Sequence, residues 1–200
     1  ANGNVVAGNR IGLGLDNTTL LSGTILVANG ASGSQIGTDG NGVSDHLEGN
    51  LIGGHGVFGI VNELNAPNTV IAENTIGYPR EDGLGGTVVG IAVRDSDNVR
   101  IGSNRDGVSD ALEANTVAFQ RQLALQIRGD SAGVSVVQNQ FVKNQGIGVD
   151  LADDGRTPND DLDVDQGANG LQNFPIINSA TGSSSASSSC SRTARSPTGR

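Results

Sequence analysis

The sequence has very few aromatic residues and only one cysteine. Its 200 residues include one tyrosine, four phenylalanines, no tryptophan and no methionine. A single cysteine, Cys190, cannot form an internal disulfide framework or a cysteine-ligated zinc site. No apolar run reaches the roughly 18 residues that a membrane-spanning helix needs, so we expect no membrane span.

Positive charge is also scarce. The net charge is −9, and all 21 acidic residues lie within residues 1–177, where nine basic residues leave a net charge of −12. Nucleic acids and anionic membranes require clustered Lys and Arg, so the composition argues against both as partners. It favours cations, or neutral and cationic ligands. The chain opens on ANGNVVAGNRIG, already inside a repeat-like pattern, which indicates a fragment or a mature segment.

Glycine is abundant, at 31 residues, and short apolar stretches recur along the chain. After Ile25, Ile60, Ile91 and Leu125, a second apolar position follows 10 or 11 residues later, and a third follows after 16, 5, 16 and 5 residues. The second positions are Ile36, Ile71, Ile101 and Val136, and the third are Ile52, Ile76, Val117 and Phe141. Strands of a β-sandwich would not return at a constant offset, whereas stacked coils would. The sequence therefore predicts an all-β fold, a right-handed parallel β-helix of about five to six coils.

The long gaps contain two copies of one acidic insert, TDGNGVSDHLE (residues 38–48) and SNRDGVSDALE (residues 103–113). After every gap the chain rejoins at a recurring asparagine: Asn50, Asn74, Asn115 and Asn139. Asparagine tolerates left-handed backbone conformations and bonds to neighbouring backbone groups. We therefore expect the four asparagines to stack at one corner, with both inserts protruding there, two coils apart.

Each insert has oxygen-bearing residues at the spacing of a twelve-residue calcium loop. The candidate ligands are Asp39, Asn41, Val43, Asp45 and Glu48 in the first copy, and Asn104, Asp106, Val108, Asp110 and Glu113 in the second. Gly37 and Gly102 stand where such a loop has its leading Asp, so we expect only weak calcium binding, at roughly 0.1–1 mM. The alternative is a glycine turn that leads into one helical turn capped by Asp45 or Asp110.

A second acidic stretch runs from Asp150 to Asp165. Its dense part offers four carboxylates that could converge on one hard cation, Asp160, Asp161, Asp163 and Asp165. The alternative is a solvated loop that closes the last coil.

Charged residues lie three positions after the strand anchors Ile60, Ile91, Leu125 and Ile147. They are Glu63, Arg94, Arg128 and Asp150. In stacked coils they predict neighbouring pairs Glu63–Arg94 and Arg128–Asp150, which would act as register devices worth about 0–1 kcal/mol each. The functional alternative is a ligand-binding or carbohydrate groove on the outward face, built from Arg94, Arg128, Asp150, Asp153 and Asp154.

With this pattern the chain resembles the right-handed parallel β-helix repeats of large bacterial secreted and cell-surface proteins. The likeness is carried by NRIG, ANGASGSQIGTDGNGVSDHLEGNLIGG and GIGVDLADDGRTPNDDLDVDQGANGLQNFPII, and it covers roughly residues 1–177. It implies an extracellular or cell-surface location but leaves activity open, because this scaffold hosts lyases, hydrolases, epimerases, adhesins and inert spacers.

We expect a non-catalytic module, adhesin-like or a structural spacer, whose partners are carbohydrate or another surface protein. The alternative is a polysaccharide-active enzyme, a lyase or a glycoside hydrolase, or a carbohydrate-binding module. Residues 178–200 are rich in serine and have no acid, which indicates a disordered tail outside the domain of residues 1–177.

Overall fold

The computed structural model describes residues 1–16, 19–54, 56–77 and 85–179. Within them, short strands follow one another in groups of three, and each group forms one coil. In chain order the strands are β1 (Val5–Val6), β2 (Arg10–Ile11), β3 (Ile25–Val27), β4 (Gln35–Gly37), β5 (Leu51–Ile52), β6 (Phe58–Asn62), β7 (Val70–Ala72), β8 (Thr75–Ile76), β9 (Val89–Arg94), β10 (Arg100–Gly102), β11 (Thr116–Ala118), β12 (Leu123–Arg128), β13 (Ser135–Val137), β14 (Gln140–Val142) and β15 (Val149–Leu151).

Each strand pairs in parallel with the third strand after it along the chain, so the strands form three sheets of five. Sheet 1 has the order β1-β4-β7-β10-β13, sheet 2 the order β2-β5-β8-β11-β14, and sheet 3 the order β3-β6-β9-β12-β15. Each sheet takes one strand from each coil, and all neighbouring strands run in the same direction. The architecture is therefore a parallel β-helix of five coils, which confirms the predicted fold class.

The core consists of aliphatic columns that run through the coils. The first column is Ile36, Ile71, Ile101 and Val136, and the second is Ile52, Ile76, Val117 and Phe141. Consecutive members are register partners, so both predicted columns are confirmed. All are fully buried except Val136 and Phe141, which belong to the last coil and are partly buried.

An asparagine ladder fixes the corner between sheets 1 and 2. Its predicted members are Asn50, Asn74, Asn115 and Asn139. At each step the backbone N–H and Nδ2 of one asparagine donate to Oδ1 of the next, at 2.8–3.3 Å. Asn9 extends the ladder into the first coil by the same two bonds to Asn50. The predicted stacking is confirmed, and the ladder joins all five coils.

Helical structure is limited to two short 3-10 turns among the described residues, η1 (Asp45–Leu47) and η2 (Ala168–Leu171). No described helix has the length and apolarity to cross a membrane. After the last coil, η2 places Ala168 in the hydrophobic core, and Asn169 Oδ1 accepts a hydrogen bond from the N–H of Val134. Residues 180–200, which make up nearly all of the predicted disordered tail, lie outside the described residues.

Candidate metal centre

Both acidic inserts leave the solenoid at the corner between sheets 1 and 2. The first (residues 38–48) connects β4 to β5, and the second (residues 103–113) connects β10 to β11. The intervening coil turns the same corner tightly through Glu73, between β7 and β8. The inserts therefore lie two coils apart at one corner, as predicted, and Glu73 lies between them.

The two inserts fold through equivalent hydrogen bonds. The N–H of Asp39 donates to Oε2 of Glu48 at 3.1 Å, and the N–H of Asn104 donates to Oε2 of Glu113 at 2.9 Å. In each copy the glutamate at the end of the insert thus binds the backbone near its start. This bond closes the loop on itself.

An aspartate and an asparagine near the start of each insert occur in opposite order. In the first copy, Nδ2 of Asn41 donates to Asp39 at 2.8 Å. In the second, Nδ2 of Asn104 donates to Asp106 at 2.9 Å. One amide and one carboxylate make the same bond in either order, so the exchange leaves the loop geometry unchanged.

The neighbouring coil requires the glycine that immediately precedes each insert. Gly37 has φ 93°, and a Cβ there would collide with the carbonyl oxygen of Ala72. Gly102 has φ 91°, and a Cβ there would collide with that of Val137. The leading aspartate of a twelve-residue calcium loop therefore has no room here, which gives a steric reason for the departure seen in the sequence.

The first insert brings three carboxylates together. Asp39, Asp45 and Glu48 each present an oxygen within 4.8 Å of the others. Within the described part of the chain, no other set of three acidic, histidine or cysteine side chains is this close. Asp45 is 2% exposed, and its Oδ2 accepts a hydrogen bond from the N–H of Gly42 at 3.0 Å. Its buried Oδ1 has no hydrogen-bond partner among the described residues.

In the first insert, the helical-turn alternative is correct about the turn but wrong about its cap. The 3-10 turn η1 begins at Asp45, and the residue before it, Ser44, makes no side-chain capping bond. Asp45 points back to Gly42, and Glu48 binds Asp39. The carboxylates of the first insert therefore face its own loop and do not cap the helical turn.

The protonation of Asp45 and Glu73 reflects this cluster. The neighbouring Ser109 hydroxyl, followed by the Gly42 N–H, holds the pKa of Asp45 below its usual range, although burial acts in the opposite direction. Burial raises the pKa of Glu73 to about 7, with a further contribution from the charges of Asp45 and Glu48. The negative field of the first insert therefore extends to the next coil.

The second insert neutralises its glutamate within the protein. Glu113 is fully buried, and Nη1 of Arg100 lies 2.8 Å from its Oε1. Arg100 occupies the strand position that Gln35 holds two coils earlier. Among the described residues of the second insert, no three acids lie as close together as those of the first. The candidate ligands of this copy are Asn104, Asp106, Val108, Asp110 and Glu113.

The two inserts also pack against each other. A Cβ at Gly40 would collide with the carboxylate of Glu113, and one at Gly42 would lie 3.2 Å from Val108. Together with the contact between Asp45 and Ser109, these approaches place the second insert directly over the first.

The acidic stretch after the last coil closes a loop. Asp160 Oδ2 accepts a hydrogen bond from the N–H of Val164 at 3.0 Å, and Asp163 Oδ1 accepts one from the N–H of Asn173 at 2.9 Å. Two of the four predicted ligands thus accept hydrogen bonds from backbone N–H groups. Within the described residues, no three of the four carboxylates lie within 4.8 Å of one another. The candidates here are Asp160, Asp161, Asp163 and Asp165.

The outward charge pairs agree with the prediction in one case and differ in the other. Glu63 and Arg94 form an ion pair at 3.4 Å, and the Arg94 guanidinium lies 4.4 Å from the centroid of the Phe58 ring. Arg94 and Arg128 are register partners on the outer face of sheet 3. The first predicted pair is therefore confirmed.

The predicted pair Arg128–Asp150 is wrong. Arg128 contacts Asp153 at 3.2 Å, whereas Asp150 is 4% exposed and lies in register with Gln126. The shift arises because Leu125 pairs with Val149 and not with Ile147, the anchor expected from the sequence. Burial raises the pKa of Asp150, aided by the charges of Asp153 and Asp154 and opposed by the N–H of Gly155.

No family model, no curated protein and no solved structure matches this chain. Its class is defined by its own strand topology, three parallel sheets that each take one strand per coil, as in a parallel β-helix protein.

Proposed function

We propose that this chain is a non-catalytic module of an extracellular or cell-surface protein, in which the coils act as a rigid spacer or an adhesin-like stalk. The observation that carries this proposal is the asparagine ladder from Asn9 to Asn139, which joins each coil to the next. Leaving a buried amide unpaired costs about 1–3 kcal/mol, so a complete ladder favours a single arrangement of the coils. Such a rod keeps its length and direction.

Other polar side chains also join coils. Asp95 accepts a hydrogen bond from the N–H of Asp130 at 3.1 Å, and Asp97 accepts one from the N–H of Ala132 at 2.9 Å, both from the following coil. These carboxylates support the stacking of the solenoid. This use of charge suits a spacer, which needs stiffness along its axis.

The second candidate function is binding or cleavage of an anionic polysaccharide. It is favoured by Arg94 and Arg128, which are register neighbours and therefore lie about 4.8 Å apart along the outer face of sheet 3. Each is already paired with an acid, Glu63 and Asp153 respectively. A sugar chain would have to displace these partners, so we rank this function second.

Incubation of the chain with acidic and neutral polysaccharides separates the two proposals. We expect no new reducing ends, no unsaturated products and no binding by calorimetry. Activity or binding that is lost in Arg94→Ala/Arg128→Ala but kept in Arg105→Ala, an exposed arginine of the second insert, would overturn the non-catalytic proposal in favour of the second candidate.

A further inference from the structure

We propose that the first insert is a single calcium site formed by the carboxylates of Asp39, Asp45 and Glu48, and that the second insert is not a site. The sequence pattern treats the two copies alike, but the structure distinguishes them. The inference does not depend on the spacer role, because it concerns only the chemistry of the two inserts.

The donor set matches a hard divalent cation. Calcium takes six to eight oxygen ligands at about 2.3–2.6 Å in flexible geometry, so two ligands on opposite sides of the ion lie about 4.8 Å apart. The three carboxylate oxygens lie within that separation of one another. Magnesium demands a tighter octahedron at about 2.0–2.1 Å and keeps several waters, so it fits this shell less well.

The buried carboxylate of Asp45 is the second, independent observation. Its Oδ2 accepts the Gly42 N–H, and the Ser109 hydroxyl lies near the carboxylate, but Oδ1 itself has no hydrogen-bond partner among the described residues. The side chain is only 2% exposed. An ionised oxygen removed from water without a partner is costly, and a cation offsets that cost.

Two substitutions remove these conditions from the second insert. Asn104 stands where the first copy has Asp39, and the acid of this pair is Asp106 instead, at the position of Asn41. Arg100 places a guanidinium 2.8 Å from Glu113, where the first copy has the neutral Gln35. A calcium ion in the second insert would have to compete with this internal cation.

Calorimetric titration of the EDTA-treated 200-residue chain with calcium chloride tests the proposal. We expect one site per chain with a dissociation constant of roughly 0.1–1 mM, and a melting temperature that rises with calcium but not with sodium chloride of equal ionic strength. Asp39→Asn should abolish both responses. This variant should fold, because the second insert makes the same hydrogen bonds with asparagine at that position.

The matched control is Asp110→Asn, the second-insert equivalent of an Asp45 change, and it should leave binding unchanged. The double variant Arg100→Gln/Asn104→Asp should gain a second site. Absence of calcium heat in the wild type, two equivalent sites, or equal loss in Asp39→Asn and Asp110→Asn would each overturn the proposal. If the double variant does not fold, the comparison of the two single variants still decides.

Discussion

The two inserts share one loop geometry but differ in how they treat their final glutamate. Glu113 is fully buried against Arg100, whereas Glu48 is partly exposed and joins two other carboxylates. The decisive residue lies outside the loop, at the strand position held by Arg100 in one coil and by Gln35 in the other. A single residue of the scaffold thus decides whether an acidic loop is neutralised internally or carries an unbalanced charge.

The largest expected effect is the loss of the internal ion pair. Glu113→Gln leaves Arg100 without its anion in a site that is mostly shielded from water, and we expect the free energy of unfolding to fall by about 2–3 kcal/mol. Glu48→Gln, the equivalent change in the first insert, should cost less than about 1 kcal/mol in EDTA, because it breaks no ion pair. Urea denaturation of both variants measures the difference. Equal losses would contradict the assignment of Arg100 as the residue that separates the copies.

A second contrast concerns the residues at which the inserts meet. Gly40 and Arg105 occupy equivalent positions with similar backbone, at φ 73° and 61°, so backbone strain alone does not require glycine at position 40. The carboxylate of Glu113 fills the space that a Cβ at Gly40 would occupy. Gly40→Ala should therefore cost about 1–3 kcal/mol, mainly through overpacking and in part through the backbone strain of a Cβ at this positive φ.

Arg105→Ala is the matched variant, and it should change the free energy of unfolding by less than about 0.5 kcal/mol, because the side chain is exposed. If Gly40→Ala proved as harmless as Arg105→Ala, the direct packing of one insert on the other would be wrong.

The charge of the first insert should make stability depend on pH through Glu73. Its pKa is about 7 in the folded chain against an ordinary value of 4.5, so the folded state binds more protons between these values. Stability contributed by this group is therefore present at low pH and falls as the pH rises from about 4.5 to about 7. In EDTA at pH 8, Glu73→Gln should be more stable than wild type by about 1 kcal/mol, after allowance for solvent screening.

This gain should nearly disappear at pH 4, where Glu73 is mostly protonated in both states. Asp161→Asn, a change at an exposed acid of the last loop, should give no pH-dependent gain of this kind. A constant gain for Glu73→Gln at all pH values would show that the field of the first insert does not act on this group.

The smallest effect is expected for exchanging the acid and the amide of the first insert. Asp39→Asn with Asn41→Asp recreates the order found in the second copy, where the same hydrogen bond forms at 2.9 Å. Stability in EDTA should change by less than about 0.5 kcal/mol. Asp39→Ala, which removes the acceptor, should cost about 1 kcal/mol. A large loss in the exchanged variant would mean that the two loops differ more than their hydrogen bonds indicate.

The sequence was sufficient for the features that repeat with the coils. The constant offset between Ile25 and Ile36, or Ile60 and Ile71, predicts which residues stack, because a parallel β-helix repeats its backbone from coil to coil. The recurrence of Asn50 and Asn115 predicts the ladder for the same reason. Once the insert residues are left out, the strand register follows from the number of residues between the apolar positions.

Contacts that depend on details within a coil were not predictable in this way. The pairing of Arg128 with Asp153 was missed because the last strand begins at Val149, and a shift of two residues preserves the alternating pattern. The Arg100–Glu113 pair and the position of Glu73 between the inserts require knowledge of which loops face each other across coils. No local sequence signal shows which loops lie next to each other in successive coils.

The alternation of long and short corners sets the distance between the two inserts. Ile36 and Ile101 are sixty-five residues apart and two coils apart, so the inserts are separated by about 9.6 Å, close to the ~10 Å spacing of two packed layers. An insert in every coil would lie only about 4.8 Å from the next insert, whereas the present spacing leaves room for the Glu113 carboxylate beside Gly40. Within the described coils the long corner therefore recurs every second coil, which is twice the repeat of the strands themselves.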